Sequence, residues 1–396
     1  MITLAPLPNW KSLLKGISPF AQDKSTLSIP WQNEGDIAGW FSRSAWSLAR
    51  IALWRSQINN SETLNVWIPD YFCNAALAPL RCTNVEFTFY PVNSKREPDY
   101  NALYELANIN QPDIFLLVHY FGYPTATKPA FDFCSKFRAW MIEDAAHILQ
   151  PIPGNRNTAD FILYSPHKLL PIPDGALLIV RPNGPSMLGN NISEKFGKAE
   201  TWAEDLSMVQ KWPLVSIQNR FLFTRTWMAK RILQKLGINR RIKKTDFMKV
   251  DEKHCKQQIV LPEPEMSDFS CRIFGTINTN LNHVVRLRQQ NELKWREKIE
   301  EIFKDDLKSN IHDNKRIGSE FTPYLVPMFV DTESGQNIVE FFENHGVPVM
   351  IWPDLPPEVF KNKDKHLEAL ALRLSNIFLP CHQTLYVNNF LNKIII

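Results

Sequence analysis

Residues 139–180 read AWMIEDAAHILQPIPGNRNTADFILYSPHKLLPIPDGALLIV. Three apolar runs in this stretch, AWMIED (139–144), DFILYS (160–165) and ALLIV (176–180), are continuous rather than alternating. Strands covered on both faces have that pattern, because helices rather than water lie against each side. Upstream, VWIP (66–69), VEFTFY (85–90) and DIFLLVHY (113–120) repeat it. Helix-length segments at about 71–80, 100–108 and 126–138 separate the runs, and SAWSLARIALWRSQI (44–58) carries apolar residues at helical spacing. Strands alternating with helices predict an α/β fold with a mostly parallel central sheet sandwiched by helices.

Downstream the pattern changes. Residues 192–238 read as mainly helical and 270–305 as a long helix rich in Arg, Lys, Gln and Glu. Strand-like runs return at YLVPMFV (324–330), VPVMIW (347–352) and IFLP (377–380), with helices at about 335–345 and 365–374 between them. The expected organisation is an N-terminal arm over 1–35, a large α/β domain over 36–260 and a smaller C-terminal α+β domain over 261–396.

The composition of the 396 residues excludes several classes. An apolar fraction of 44% and a charged fraction of 22% exclude wholesale disorder. Lys and Arg total 45 against 41 Asp and Glu, a net charge of +4, which gives no electrostatic case for nucleic acid. The six cysteines form no CxxC pair and no tight His/Cys spacing, so they read as reduced thiols and no metal is expected. No apolar run approaches the roughly 18–20 residues that span a bilayer. The expectation is a cytoplasmic protein. The basic stretch 225–249 reads as a solvated face rather than as a peripheral membrane contact.

In an open parallel sheet, ligands bind outside the carboxyl ends of the strands. The polar residues just after each run are therefore the informative ones. Glu143 and Asp144 end one run, and Ser165, Pro166, His167 and Lys168 follow the next. A lysine desolvated at a sheet mouth can lose its proton and form a Schiff base. Pyridoxal phosphate needs such a lysine for its aldehyde and a carboxylate for its pyridine nitrogen. Phe41-Ser42-Arg43-Ser44-Ala45 opens a helix, whose free N–H groups suit an anion; a plain serine cap is the simpler alternative.

The order VHYFGYP, IEDAAHIL, ADFILYSPHKLLPIPDGALLIV resembles the DegT/DnrJ/EryC1/StrS family, fold-type I pyridoxal-phosphate enzymes best known as nucleotide-sugar aminotransferases. FSRSAWSLARIAL looks like the family's phosphate-binding helix start, IPDYFCNAAL like its segment with an aromatic over the cofactor ring, and FLPCHQTL like its Leu-Pro-x-His segment. The resemblance covers roughly 38–182 well and 320–385 loosely. It implies that Lys168 is the Schiff-base lysine, that Asp144 pairs with the pyridine nitrogen and that His147 approaches the phenolic oxygen. It also implies that Ser44, Ala45 and Ser165 hold the phosphate, and that Tyr71 or Phe72 stacks on the ring.

Candidate substrate residues are Arg43, which stands where the family has Gly, together with His119, Tyr120 and His382; Trp352 is a further candidate at the entrance. The resemblance further implies transfer of an amino group from glutamate or glutamine to a keto nucleotide-sugar, in polysaccharide or secondary-metabolite synthesis, by a homodimer with shared active sites. A lyase, a dehydratase or a non-sugar aminotransferase would use the same cofactor. A non-catalytic binding or regulatory relative is the reading against which Lys168 and Asp144 argue.

Overall fold

The computed structural model describes residues 2–20, 22–60, 63–151, 159–189, 191–209, 211–238, 245–247, 258–277, 280–303 and 321–385. Its centre is a seven-stranded sheet of β1 (Ile37–Phe41), β2 (Leu64–Pro69), β3 (Val85–Tyr90), β4 (Ile114–Val118), β5 (Trp140–Ala145), β6 (Phe161–Tyr164) and β7 (Ala176–Val180), in the order β1-β7-β6-β5-β4-β2-β3. β2 to β6 are mutually parallel, and β7 runs antiparallel to both of its neighbours. Every residue of β2, β4, β5, β6 and β7 is buried. This is what the continuous apolar runs require of strands with helices on both sides.

The register sets the site. Val118 lies beside Asp144, Asp144 beside Leu163 and Ala145 beside Tyr164. The carboxyl ends of β4, β5 and β6 therefore finish level with one another, and the chain leaving each passes the same mouth. Short parallel pairing of β8 (Val215–Gln218) with β9 (Ile259–Pro262) lies apart from this sheet.

A second apolar core forms around the antiparallel pair β10 (Leu325–Phe329) and β11 (Asn376–Pro380). One helix, Leu281–Phe303, serves both cores. Leu281, Val284 and Val285 pack into the main core, while Trp295, Ile299 and Phe303 pack into the second. Among the described residues no helix is long and apolar enough to cross a membrane. Cys73, Cys82, Cys134, Cys271 and Cys381 are free thiols, and Cys255 lies outside the described residues.

Four elements differ from the sequence reading. β1 was not expected as a strand; it pairs with β7 along its whole length, and Gly39 in it leaves room for the Trp202 ring, which a Cβ would approach to 2.4 Å. The helix expected at 71–80 is two short 3-10 turns, Asn74–Leu77 and Leu80–Cys82, with Pro79 preceding the second. The strand expected at 347–352 makes a single bridge, Met350 to Phe378. The long helix expected at 270–305 is two helices, Asp268–Ile277 and Leu281–Phe303.

The turn Tyr120–Gly122 carries the chain from β4 over the mouth. Gly122 has φ +95, and a Cβ there would lie 2.0 Å from the Thr322 carbonyl oxygen. Gly122→Ala meets both backbone strain and a backbone clash. It should cost about 3 kcal/mol, read as a lower midpoint in urea denaturation.

Candidate active site

Lys168 lies in a single helical turn, Pro166–Leu169, that follows β6 directly. Its Nζ is 3.2 Å from Nε2 of His147, which follows β5. The other ring nitrogen, Nδ1, accepts the backbone N–H of Phe121 at 3.2 Å. A neutral imidazole that accepts at Nδ1 carries its proton on Nε2. That proton then points at Lys168, which can accept it only as the uncharged amine.

The electrostatics agree with that assignment. Burial, reinforced by the nearby Lys168, pushes the His147 pKa well below its ordinary value. Burial also lowers Lys168, with Asp144 and Cys73 pulling the other way and Arg43 adding to the depression.

The His147 ring is fixed from both faces. Tyr324 stacks on it at 4.5 Å and Phe121 at 5.7 Å, each within 11° of parallel. Trp352 closes the edge at 5.6 Å. Phe121 takes a left-handed backbone, φ 56, which is strained for an aromatic residue. That conformation aims its N–H at His147 while its carbonyl accepts the N–H of Tyr324.

Asp144 ends β5, and its Oδ1 accepts the N–H of Ala146 at 2.9 Å. Burial raises its pKa, opposed by Lys168, by that hydrogen bond and by His119. A buried carboxylate and a buried lysine thus share one field, each holding the other nearer its charged form.

A third group lies at the start of helix Ser44–Asn59. Ser42 and Ser165 are fully buried, and neither hydroxyl oxygen has a hydrogen-bond partner in the described protein. Ser44 and Ala45 begin the helix, where backbone N–H groups have no partner within it. Arg43 turns inward. It donates to the Ser42 carbonyl at 2.8 Å and the Pro173 carbonyl at 3.1 Å, with its guanidinium 5.2 Å from the Phe223 ring centre. Burial draws its pKa down to about 10 against the pull of Asp174. Gly175 (φ +134) closes this side by donating to the Ser42 carbonyl and accepting from the His167 N–H.

Two orphaned hydroxyls and a helix start, with the Arg43 cation beside them, make a set of donors that suits an anion. Ser42→Ala should weaken binding of a phosphate-bearing cofactor about tenfold, the worth of one hydrogen bond to a charged group, measured by titration of cofactor absorbance.

The structure gathers Lys168, Asp144 and His147, and separately Arg43, Ser44, Ala45 and Ser165. The remaining candidates are otherwise engaged. Tyr71 is fully buried, donates to the Trp352 carbonyl at 2.8 Å and packs its ring on Tyr120 and Trp352. Phe72 is buried in the main core. Cys73, next along, is the residue of this segment close enough to Lys168 to act on its charge.

His119 and Tyr120 already have hydrogen-bond partners within the chain. His119 is buried between the Glu143 carboxylate at 3.0 Å and the Thr125 N–H at 2.9 Å, and Tyr120 donates to the Tyr71 carbonyl at 2.7 Å. His382 is engaged as well. It holds the N-terminal arm through Thr3 and pairs with Thr384, and burial draws its pKa down to about 3.

Sequence reasoning missed Ser42, Phe121 and Tyr324. Ser42 stood inside the helix-start motif but was passed over for Ser44. Phe121 and Tyr324 act through backbone conformation and stacking, which leave no motif. Among the described residues no cluster of His, Cys, Asp and Glu could hold a metal ion.

No family model and no curated protein matches this sequence. Solved structures do. The aminotransferase TlmJ from Streptoalloteichus hindustanus is 15% identical, with a TM-score of 0.63 over 98% of this chain and 90% of that one. A DegT DnrJ EryC1 StrS aminotransferase from Brucella abortus is 13% identical, with a TM-score of 0.64 over 97% and 94%. The sugar aminotransferase CalS13 from Micromonospora echinospora is 11% identical, with a TM-score of 0.61 over 98% and 97%. Across nearly its whole length this chain has the fold of those aminotransferases.

Proposed function

We propose that the protein is a pyridoxal-phosphate-dependent aminotransferase that moves an amino group from glutamate or glutamine to a keto nucleotide-sugar. The observation that carries the reading is the buried Lys168 amine, set 3.2 Å from His147 at the mouth of the sheet with its pKa lowered by burial and opposed by Asp144. The site fits the cofactor: Ser42, Ser165, Arg43 and the helix start would hold its phosphate, Asp144 its ring nitrogen and Lys168 its aldehyde carbon. Bound there, the cofactor supplies an exchangeable carbonyl and a ring that accepts electrons.

The residues divide the remaining work. Lys168 would act as an amine nucleophile and would hold and move a proton at its Nζ. His147 would orient that amine through its Nε2. Asp144 would favour a proton on the ring nitrogen of a bound cofactor. Tyr324, Phe121 and Trp352 keep water from the His147–Lys168 contact. The same reading takes the protein to be cytoplasmic, to act as a homodimer and to serve polysaccharide or secondary-metabolite synthesis. TlmJ, CalS13 and the Brucella enzyme support it by their shared fold and their activities as aminotransferases.

The visible spectrum of the purified protein tests the proposal. With pyridoxal phosphate added the protein should turn yellow, and glutamate or glutamine should bleach the band. A yellow protein that neither donor bleaches would overturn amino transfer from them. A protein that stays colourless would overturn the cofactor.

A further inference from the structure

Helix Arg220–Lys235 buries only Thr224. Its exposed side carries Phe221, 61% exposed, and Leu222. The chain then leaves Leu236 exposed where the helix ends. Helix Trp10–Gly16 lies beside it. Both pack on Phe269 of helix Asp268–Ile277: a Cβ on Gly16 would touch the Phe269 ring, and Trp227 meets that ring at 6.1 Å. Lys235 lies over the Trp10 ring at 5.2 Å, which joins the two helices into one surface. Trp10, Leu14 and Phe20, the last 74% exposed, continue its apolar area. Exposed apolar surface of this extent marks a contact site.

The charges on this surface say with what. Residues 9–20 and 219–238 contain Lys11, Lys15, Arg220, Arg225, Lys230, Arg231 and Lys235 and no Asp or Glu. Two acids beside the start of the longer helix, Glu263 and Glu265, are paired with Arg220 and Lys24, and Asp268 also acts on Arg220. Among the described residues no carboxylate pairs with Arg225, Lys230, Arg231 or Lys235. A self-complementary contact through this face would set cations against cations. Aromatic and aliphatic groups interleaved with unpaired Lys and Arg on two surface helices match a water–lipid boundary with anionic headgroups. Of the basic stretch 225–249 read from the sequence as a solvated face, 239–244 and 248–249 lie outside the described residues, and on 225–238 large apolar side chains stand out beside the cations.

We propose that helices Trp10–Gly16 and Arg220–Lys235 together form a docking surface for an anionic lipid bilayer, with the aromatic and aliphatic side chains entering the headgroup region and the lysines and arginines meeting lipid phosphates and carboxylates. Phe223 of the same helix contacts Arg43 at the site, so a docked protein holds its candidate active site close to the lipid surface. This inference does not rest on the proposed reaction.

The test is sedimentation of the full chain with vesicles of phosphatidylcholine alone and of phosphatidylcholine with phosphatidylserine. The bound fraction should rise at least about tenfold on the serine lipid and fall again in high salt. R225E/K230E and L222S/L236S, all at exposed positions, should each return it to the phosphatidylcholine level. Equal sedimentation with both vesicles would overturn the proposal. So would self-association in solution that L222S/L236S dissolves into monomers, since the face would then be a contact between copies.

Discussion

Lys168→Ala should lose at least about a thousandfold in turnover, measured as keto-sugar-dependent consumption of the amino donor, and should no longer turn yellow with pyridoxal phosphate. Alanine removes both the nucleophile and the proton carrier, and no other described lysine stands at the mouth to replace it. The fold should survive. Burial lowers the Lys168 pKa below its unfolded value of 10.5, so the cost of charging it in the fold is fully present below the lowered value and vanishes as pH rises through 10.5. A charged lysine in the unfolded state therefore favours unfolding at neutral pH. Removing it should leave the thermal midpoint unchanged or higher, which separates loss of chemistry from loss of structure. An inactive variant that also melts early would mean Lys168 is structural.

Asp144→Ala should show the same division more sharply. Turnover should fall about a thousandfold, because nothing else in the site would keep a proton on the ring nitrogen. Stability should rise by about 1 kcal/mol at neutral pH. The sign follows from the raised pKa of Asp144. A native carboxyl with a pKa above its unfolded value of 3.8 favours folding below that value, and the advantage is lost as pH rises through the raised pKa. At neutral pH the ionised, buried carboxylate is a net cost to the fold. A site residue whose removal stabilises the protein is one kept for chemistry. Urea denaturation at pH 7 beside a turnover assay decides it, and a destabilised Asp144→Ala with intact turnover would sink the assignment.

The sequence carried the architecture unevenly. Continuous apolar runs identified β2 and β4 to β7, because a strand buried on both faces is mostly apolar, while the half-buried edge strand β3 was legible from its aromatic and β-branched residues. β1 was lost because IAGWF contains a glycine whose reason is a tryptophan far along the chain. At the site, Lys168, Asp144 and His147 were legible because each follows a recognisable strand at fixed spacing. Ser42 was not, since a hydroxyl that lacks a partner is visible only once its surroundings are folded. Tyr324 was not, since stacking on His147 depends on chain far from that motif. His119, Tyr120 and His382 show what the sequence hides in the other direction. Polar side chains near a strand end or a motif looked available, and the fold uses all three to satisfy buried backbone or a neighbouring carboxylate.

The sandwich around His147 also bears on the order in which the protein can be made. Lys168, Asp144 and Phe121 are all translated well before Tyr324, the ring that covers the other face of His147. Until about residue 330 has left the ribosome, the imidazole has one face bare and the Phe121 backbone lacks the N–H that its carbonyl accepts from Tyr324. The strained turn at Phe121 then has little to hold it. A nascent chain can therefore build the seven-stranded sheet first, through contacts close in sequence, and complete the candidate site only when β10 closes over it. Chain released early would hold a finished sheet with an unset site, which makes cofactor retention a readout of complete synthesis.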